Sequence, residues 1–182
     1  MVMVNLSLGW RQRLAVLQYQ RGLLFIQHMA YAPAIAAFSR ALRWHPHQAQ
    51  VYIMRGMAHA CDNALAAACA DYDRAIALLP GDRRAHSKRA LLRYRQGDEA
   101  GALADWAIAL AGQPLGGNAE SYFTRALLHL QHQDHGAALA DLDQAIALDG
   151  NHARAYLQRG NLRQRLGDRP GASPGLGAGD FQ

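Results

Sequence analysis

Apolar and small residues recur along most of this chain at spacings of three, four and seven, with polar residues between them. The clearest case is a pair of consecutive stretches, whose apolar faces are formed by Tyr52, Gly56 and His59 and by Ala68, Tyr72 and Ala75. This is the period of the amphipathic α-helix. Because small residues let helices approach closely, the pattern predicts pairs of antiparallel helices packed face to face.

A longer period organises these helices into repeats. Arginine recurs at intervals of 34, 34, 36 and 34 residues and is followed each time by Gly or Ala, at Arg21, Arg55, Arg89, Arg125 and Arg159. Further along each repeat come an alanine, a large residue and a second alanine in constant register. The large residues are Phe38, Tyr72, Trp106 and Leu142. A period of this length predicts stacked helical hairpins.

Turn and cap residues agree with the period. Four repeats close at Pro46, Pro80, Pro114 and Gly150. Side chains suited to capping second helices are Asp62 or Asn63, Asp98 and Asp134, and those suited to capping first helices are Asp82 and Asn118. The sequence therefore predicts where most of the helices begin.

This set of small, aromatic and proline positions resembles the tetratricopeptide repeat family over residues 15–166. The family commonly has leucine where this chain has its periodic arginines, so the chain is more similar to the variant whose first helix reads Arg-Gly. The resemblance implies an all-α fold, a right-handed superhelical solenoid of antiparallel helix hairpins. We divide the chain into a lead-in at 1–14 that extends the first helix, an array at 15–168 and a flexible tail at 169–182.

The array contains four full repeats and a partial fifth. They span residues 15–48, 49–82, 83–116, 119–152 and 153–168, with Gly117 and Asn118 as a two-residue insertion. The second helix of the fifth repeat is replaced by a segment with Pro170, Pro174 and several glycines, which disfavour a helix. We expect that segment to be flexible and the polar helix before it to close the array.

The periodic arginines face the second helices, where an unpaired charge is costly. Asp71, Asp105 and Asp141 lie sixteen residues after Arg55, Arg89 and Arg125, at about the same height on the returning helix. This spacing predicts structural ion pairs with an aspartate of the same repeat or of the repeat before. The alternative is that the arginines form an anion-binding ladder.

The first helices carry apolar residues beyond those needed to meet their own second helix. In the family this face lines the inner curve of the array, so the resemblance implies a groove that binds a partner. Its candidate residues are Tyr19, Leu23, Ile53, Met54, Met57, Arg84, Lys88, Leu91, Tyr94, Phe123, Leu127 and Arg154. The alternative is that the same stripe is ordinary core between repeats. If it is a groove, the ligand is an amphipathic helix or extended peptide, and the arginines select acidic residues in it.

The charge of the chain adds a second hypothesis. Its formal net charge is +5, and no Asp or Glu precedes Asp62. A basic first third permits RNA binding, although aromatic residues are not interleaved with its arginines. Binding of another protein by a scaffold or adaptor is the main prediction, and RNA binding is the alternative.

Other chemistry has little support in the sequence. His129, His132 and His135 do not share one helical face as metal ligands require, and no phosphate loop or nucleophile motif occurs. We therefore expect no enzyme activity, cofactor or metal. Two cysteines and the lack of a long apolar run favour a cytoplasmic protein without membrane insertion. The sequence does not predict the oligomeric state.

Overall fold

A computed structural model describes residues 2–111 and 118–167, with side chains from residue 9 onward. Within those residues the chain is α-helical and contains no strand. The helices are α1 (Val2–Gln27), α2 (Tyr31–Trp44), α3 (Ala49–Cys61), α4 (Leu65–Leu78), α5 (Arg83–Arg95), α6 (Glu99–Ala109), α7 (Ala119–Gln131), α8 (His135–Leu148) and α9 (Ala153–Arg165). The all-α class is confirmed, and the predicted tail lies outside the described residues.

The first helices start where the sequence period places them. The helices α3, α5, α7 and α9 begin at the first residues of the second to fifth predicted repeats. The first helix differs, because α1 begins at Val2 and continues through Ala15, the equivalent starting position of the first repeat. The predicted lead-in is thus part of one long helix.

The hairpin turns explain which cap predictions are right. Asp82, Asn118, Asp98 and Asp134 accept hydrogen bonds from backbone N–H groups of the helices they precede, as predicted. The prediction for Asp62 or Asn63 is wrong, because Ala64 holds the N-cap position of α4.

Asn63 instead serves the turn that joins α3 to α4. It has a φ of 61°, and the equivalent turn residues also have positive φ, at Met29, Gly97, Gln133 and Gly167. Each hairpin needs one residue in the left-handed region, a conformation that Asn tolerates better than most residues. The residue after it becomes the N-cap of the second helix.

The chain divides into two compact units, Met1–Gly117 and Asn118–Gln182. In the first unit, α1 packs with α2, α3 with α4 and α5 with α6, and successive hairpins meet through α2 with α3 and α4 with α5. The predicted large residues Phe38, Tyr72 and Trp106 are fully buried, with the periodic alanines around them. The predicted packing of small and large residues is confirmed there.

The second unit has the same construction with fewer helices. Helix α7 packs with α8, and α8 packs with α9. Leu142 is fully buried between Ala138 and Ala145 of the same helix, which are also buried. Its core therefore follows the register of the first unit.

Each of three periodic arginines makes a bidentate ion pair with the aspartate sixteen residues later. The Arg89 Nε and Nη2 donate to Asp105 at 2.8 and 2.7 Å. Arg55 pairs in the same way with Asp71 at 2.9 and 2.6 Å. Arg125 does so with Asp141 at 2.7 and 2.5 Å. The predicted ion pairs are confirmed, and each ties the first helix of a hairpin to its second.

Two of these arginines, and Arg159, also reach the second helix of the hairpin before. Arg89 Nη1 donates to Asp73 at 2.5 Å, and Arg55 Nη1 donates to the Ser39 hydroxyl at 3.0 Å. In the second unit, Arg159 Nη1 donates to Asp143 at 2.5 Å. In each case the acceptor precedes the arginine by sixteen residues. The periodic arginine therefore links its own first helix to the second helix of the hairpin before.

We predict that Arg89→Ala lowers the free energy of unfolding by about 3 kcal/mol, because it leaves the buried Asp105 carboxylate without its bidentate partner. Urea denaturation measures this change. Arg74→Ala, at an exposed position of α4, is the control and should change stability by less than about 0.5 kcal/mol. Equal effects of the two substitutions would show that the ion pair contributes nothing.

We predict opposite effects of alanine at two glycines of the Arg-Gly positions. A Cβ at Gly56 would lie 2.8 Å from Tyr72 Cε1 and 3.2 Å from the Ala68 carbonyl oxygen. Gly56→Ala should therefore cost about 1–3 kcal/mol through overpacking. At Gly160 a Cβ meets no described atom within 4 Å, so Gly160→Ala should stabilise α9 by about 0.5–1 kcal/mol. Thermal unfolding tests both variants, and the same sign at both positions would contradict this explanation.

We predict that the contribution of Asp105 to stability disappears in acid. Burial alone would raise the pKa of its carboxyl, but hydrogen bonds from Arg89 and His86 outweigh burial and lower that pKa below its ordinary value. The stabilisation is therefore present above the unfolded-state pKa of about 3.9 and is lost as pH falls further, through the folded-state pKa.

Urea denaturation of the wild type and Asp105→Asn between pH 7 and pH 2 tests this prediction. The difference in unfolding free energy between them should shrink below about pH 4. Asp62→Asn, at an exposed position, is the control and should show no such convergence. A difference that stays constant over the whole range would contradict the assignment.

Candidate functional site

A cleft of about 510 Å³ lies in the first unit, beside α1 and at the N-terminal ends of α3 and α5. The turn before α3 and the end of α4 complete its walls. It is lined by Val16, Tyr19, His47, Gln48, Ala49, Gln50, Val51, Leu78, Leu79, Asp82 and Arg84. The lining is mainly apolar, with a few polar groups, as is usual for a binding cleft.

The polar end of the cleft is formed by Asp82 and Arg84. Asp82 Oδ1 accepts from the backbone N–H and from Nε of Arg84, both at 3.0 Å, and Oδ2 accepts from Nη2 at 2.7 Å. The hydrogen bonds from Arg84 hold the pKa of the Asp82 carboxyl below its ordinary value. The pair fixes the guanidinium at the start of α5, and Asp82 compensates its charge.

The apolar end of the cleft contains an exposed leucine at the end of α4. Leu79 is the C-cap residue of α4 and is 50% exposed. The equivalent C-cap residue is His45 after α2 and Asp149 after α8. The C-cap residue of α6 is also a leucine, Leu110, but it is only 9% exposed. Leu79 therefore differs from these other C-cap residues in being both apolar and exposed.

Of the candidate residues predicted from the sequence, Tyr19 and Arg84 line the cleft. Leu23, Met54 and Met57 are half-buried and pack against the cores around Phe38 and Tyr72. Lys88, Leu91 and Tyr94 follow Arg84 along α5, with Leu91 exposed and the other two half-buried. The methionines therefore belong partly to the core and partly to the surface.

Two candidate residues lie in the core. Ile53 is 3% exposed and belongs to the cluster around Tyr72 and Leu92. Phe123 is 2% exposed, and its ring centroid is 4.9 Å from that of His152. Their expected place on a binding face is corrected, since these side chains have almost no surface to offer a ligand.

Arg154 and Leu127 are the remaining candidates, both in the second unit. The guanidinium of Arg154 stacks over Phe123 at 4.4 Å from the ring centroid and lies 3.4 Å from Glu120 Oε1. Leu127 is half-buried on α7. Arg154, like Arg84, thus has a carboxylate partner within its own unit, which a count of charges in the sequence does not show.

Sequence reasoning missed most of the cleft, because its walls include turn residues that follow no helical period. His47, Gln48 and Leu79 belong to this group. A usable signal was present at Leu79, where comparison with His45 and Asp149 reveals an apolar residue in a polar series. The cap residue Asp82, two residues before Arg84, was a second signal.

The described part of the chain contains no helix that is long and apolar enough to span a bilayer. Its helical hairpins have the same arrangement as several solved structures. MamA from Desulfovibrio magneticus RS-1 superposes with a TM-score of 0.72 at 16% identity, covering 85% of this chain and 86% of that one. PilF of Pseudomonas aeruginosa gives 0.74 at 18% identity, covering 87% and 71%.

A third solved structure, YrrB, is described as a TPR protein with an unusual peptide-binding site, and it gives a TM-score of 0.66 at 22% identity, covering 80% and 74%. The family model of the tetratricopeptide repeat matches residues 119–152. No curated protein matches the sequence. One segment of the chain, residues 119–152, thus matches the tetratricopeptide repeat, and the fold is similar to that of solved structures that include a tetratricopeptide repeat protein.

Proposed function

We propose that this protein is a non-catalytic scaffold that binds a peptide segment of a partner protein in the cleft between α1, α3 and α5. The observation that carries the proposal is the exposed Leu79 beside Tyr19, in a cleft that Asp82 and Arg84 close with a fixed polar pair. Apolar walls with a small number of placed polar groups suit a peptide side chain with a polar neighbour.

The half-buried Leu23, Met54 and Lys88 extend this site along the same first helices. Methionine side chains adapt to ligands of different shape. Since Asp82 compensates Arg84, the preference for an acidic ligand rests mainly on Lys88, for which no carboxylate partner lies within the described residues. The proposed ligand therefore combines apolar anchors with at least one carboxylate.

The comparisons support a protein ligand. Tetratricopeptide repeat proteins include one whose structure is described by its peptide-binding site. The alternative of RNA binding has no corresponding support in the cleft, where the one arginine is paired with Asp82. We therefore assign the cleft to a peptide.

Leu79→Asp tests the proposal, because Asp149 shows that this cap position accepts aspartate. Peptides of twelve residues are selected from a displayed library on the wild-type chain, and their affinities are measured by fluorescence polarisation. We expect Leu79→Asp to weaken the selected peptides by about tenfold or more, which corresponds to about 1.4 kcal/mol.

Ile108→Asp, which changes an exposed apolar residue of α6, is the matched control and should leave affinity unchanged. Lys88→Gln should weaken those peptides that contain Asp or Glu more than those that do not. If the selected peptides bind Leu79→Asp and the wild type equally, they bind outside the cleft and the proposal fails.

A further inference from the structure

The outer face of α1 exposes leucines at positions that α3, α5 and α9 bury. In α3, Val51 and Ala58 pack into the cluster around Phe38 of α2. In α5, Ala85 and Leu92 pack into the cluster around Tyr72 of α4. Each pair is covered by the second helix of the hairpin before. The repeat register places Leu17 and Leu24 of α1 at the same two positions.

Leu17 and Leu24 are 55% and 56% exposed. A shallow depression lined by Gly9, Gln12, Arg13, Val16, Leu17 and Gln20 continues this face toward the start of α1. The face is therefore an interface between hairpins from which one of the two helices is missing. Val16 borders both this depression and the cleft assigned above, but Leu17, Arg21 and Leu24 do not line that cleft.

Arg21 shows which chemical group the missing helix would supply. At the equivalent position Arg89 receives Asp73 from α4, and Arg159 receives Asp143 from α8. Arg21 is exposed, and its guanidinium lies 5.5 Å from the centroid of the Phe25 ring. No carboxylate pairs with it among the side chains that the structure describes, and its own hairpin offers Ala37 where the later ones have aspartate.

The surroundings of the face are basic. Arg11 and Arg13 lie on the same helix, and no acidic residue precedes Asp62. The Arg11 guanidinium lies 5.5 Å from the Trp10 ring and 5.9 Å from the Trp44 ring. Two copies of α1 packed together would bring arginines against arginines without compensation, so charge favours an acidic occupant over a second copy.

The length of α1 favours an occupant that arrives from another chain. In the array, a short turn joins each second helix to the next first helix at Ala49, Arg83 and Ala153. At the equivalent position, Ala15, α1 is continuous helix that extends back to Val2. A preceding hairpin joined by the usual turn would require the helix to be interrupted near Ala15, and α1 is continuous there.

We propose that the face of α1 formed by Leu17, Arg21 and Leu24 docks an acidic amphipathic helix of a partner protein. The helix packs as the second helix of a missing hairpin and places an aspartate on Arg21. This surface is separate from the cleft, so one chain can bind two partner segments.

The chain itself provides the probe, because α8 already performs this packing on α9. A labelled synthetic peptide with the sequence of residues 134–149 contains the aspartate that pairs with Arg159. We expect it to bind the full chain, and Leu17→Asp with Leu24→Asp to weaken it by about tenfold or more. Ile108→Asp is again the control, and circular dichroism verifies that each variant is folded.

A charge exchange tests the contact with Arg21. Arg21→Asp should weaken the peptide by about tenfold, and a peptide with Asp143→Arg should restore binding to Arg21→Asp while binding the wild type poorly. Rescue by the reversed pair identifies the contact, since neither a folding defect nor a general charge effect produces it.

Fusing the helix to the chain tests the same contact without requiring that the free peptide bind tightly. The same helix is joined to the start of the full chain by a Gly/Ser linker of about 20 residues, long enough to return along the roughly 20 Å between Val2 and Ala15. High effective concentration should then raise the melting temperature, and the fusion with Asp143→Arg should not.

Three results would overturn the proposal. In the first, neither the peptide nor the fusion has an effect. In the second, the wild type sediments as a dimer that Leu17→Asp with Leu24→Asp makes monomeric, so the occupant is a second copy. In the third, a twelve-nucleotide oligouridine binds this face with steep salt dependence and the peptide does not, so the occupant is RNA.

Discussion

A half-buried arginine between the two helices of a hairpin is the constraint on which the rest of this structure depends. Its charge requires a carboxylate on the returning helix, and the aspartate sixteen residues later supplies it at Asp71, Asp105 and Asp141. The residue after the arginine is small, and at Gly56 this leaves room for the Tyr72 ring of the returning helix. The same side chain then reaches the hairpin before, so register within hairpins and contact between them have one cause.

The first hairpin departs from this rule on both sides of its arginine. Ala37 stands where the later hairpins have aspartate, and within the described residues no second helix packs on the outer face of α1 to provide another acceptor. Arg21 is therefore exposed while Arg55 and Arg89 are half-buried. The exposed Leu17 and Leu24 follow from the same missing helix. A first helix whose outer face is uncovered is thus chemically different from the covered ones, even when the sequence period is unchanged.

Much of the fold could be predicted because it depends on short, repeated spacings. The helix starts, the buried aromatic residues and the ion pairs all lie at constant register, and four of the caps do too. Ile53 and Phe123 were misplaced because a helical projection shows which residues share a face but does not show which neighbouring helix covers it. Asp62 and Asn63 were misplaced because the left-handed turn residue displaces the cap by one position.

The cleft was harder to predict for two reasons. Its walls include turn residues, and its arginine is already paired with an aspartate. Arg84 and Arg154 count fully in a formal net charge, yet Asp82 and Glu120 compensate them locally. Arg21 contributes the same formal charge but has no such carboxylate partner among the described residues. Within the described residues, Arg11, Arg13 and Arg21 of α1 thus have no carboxylate partner, whereas the two arginines that the groove prediction selected do. This separation is why the cleft suits mainly apolar anchors, whereas the face of α1 suits an acidic helix.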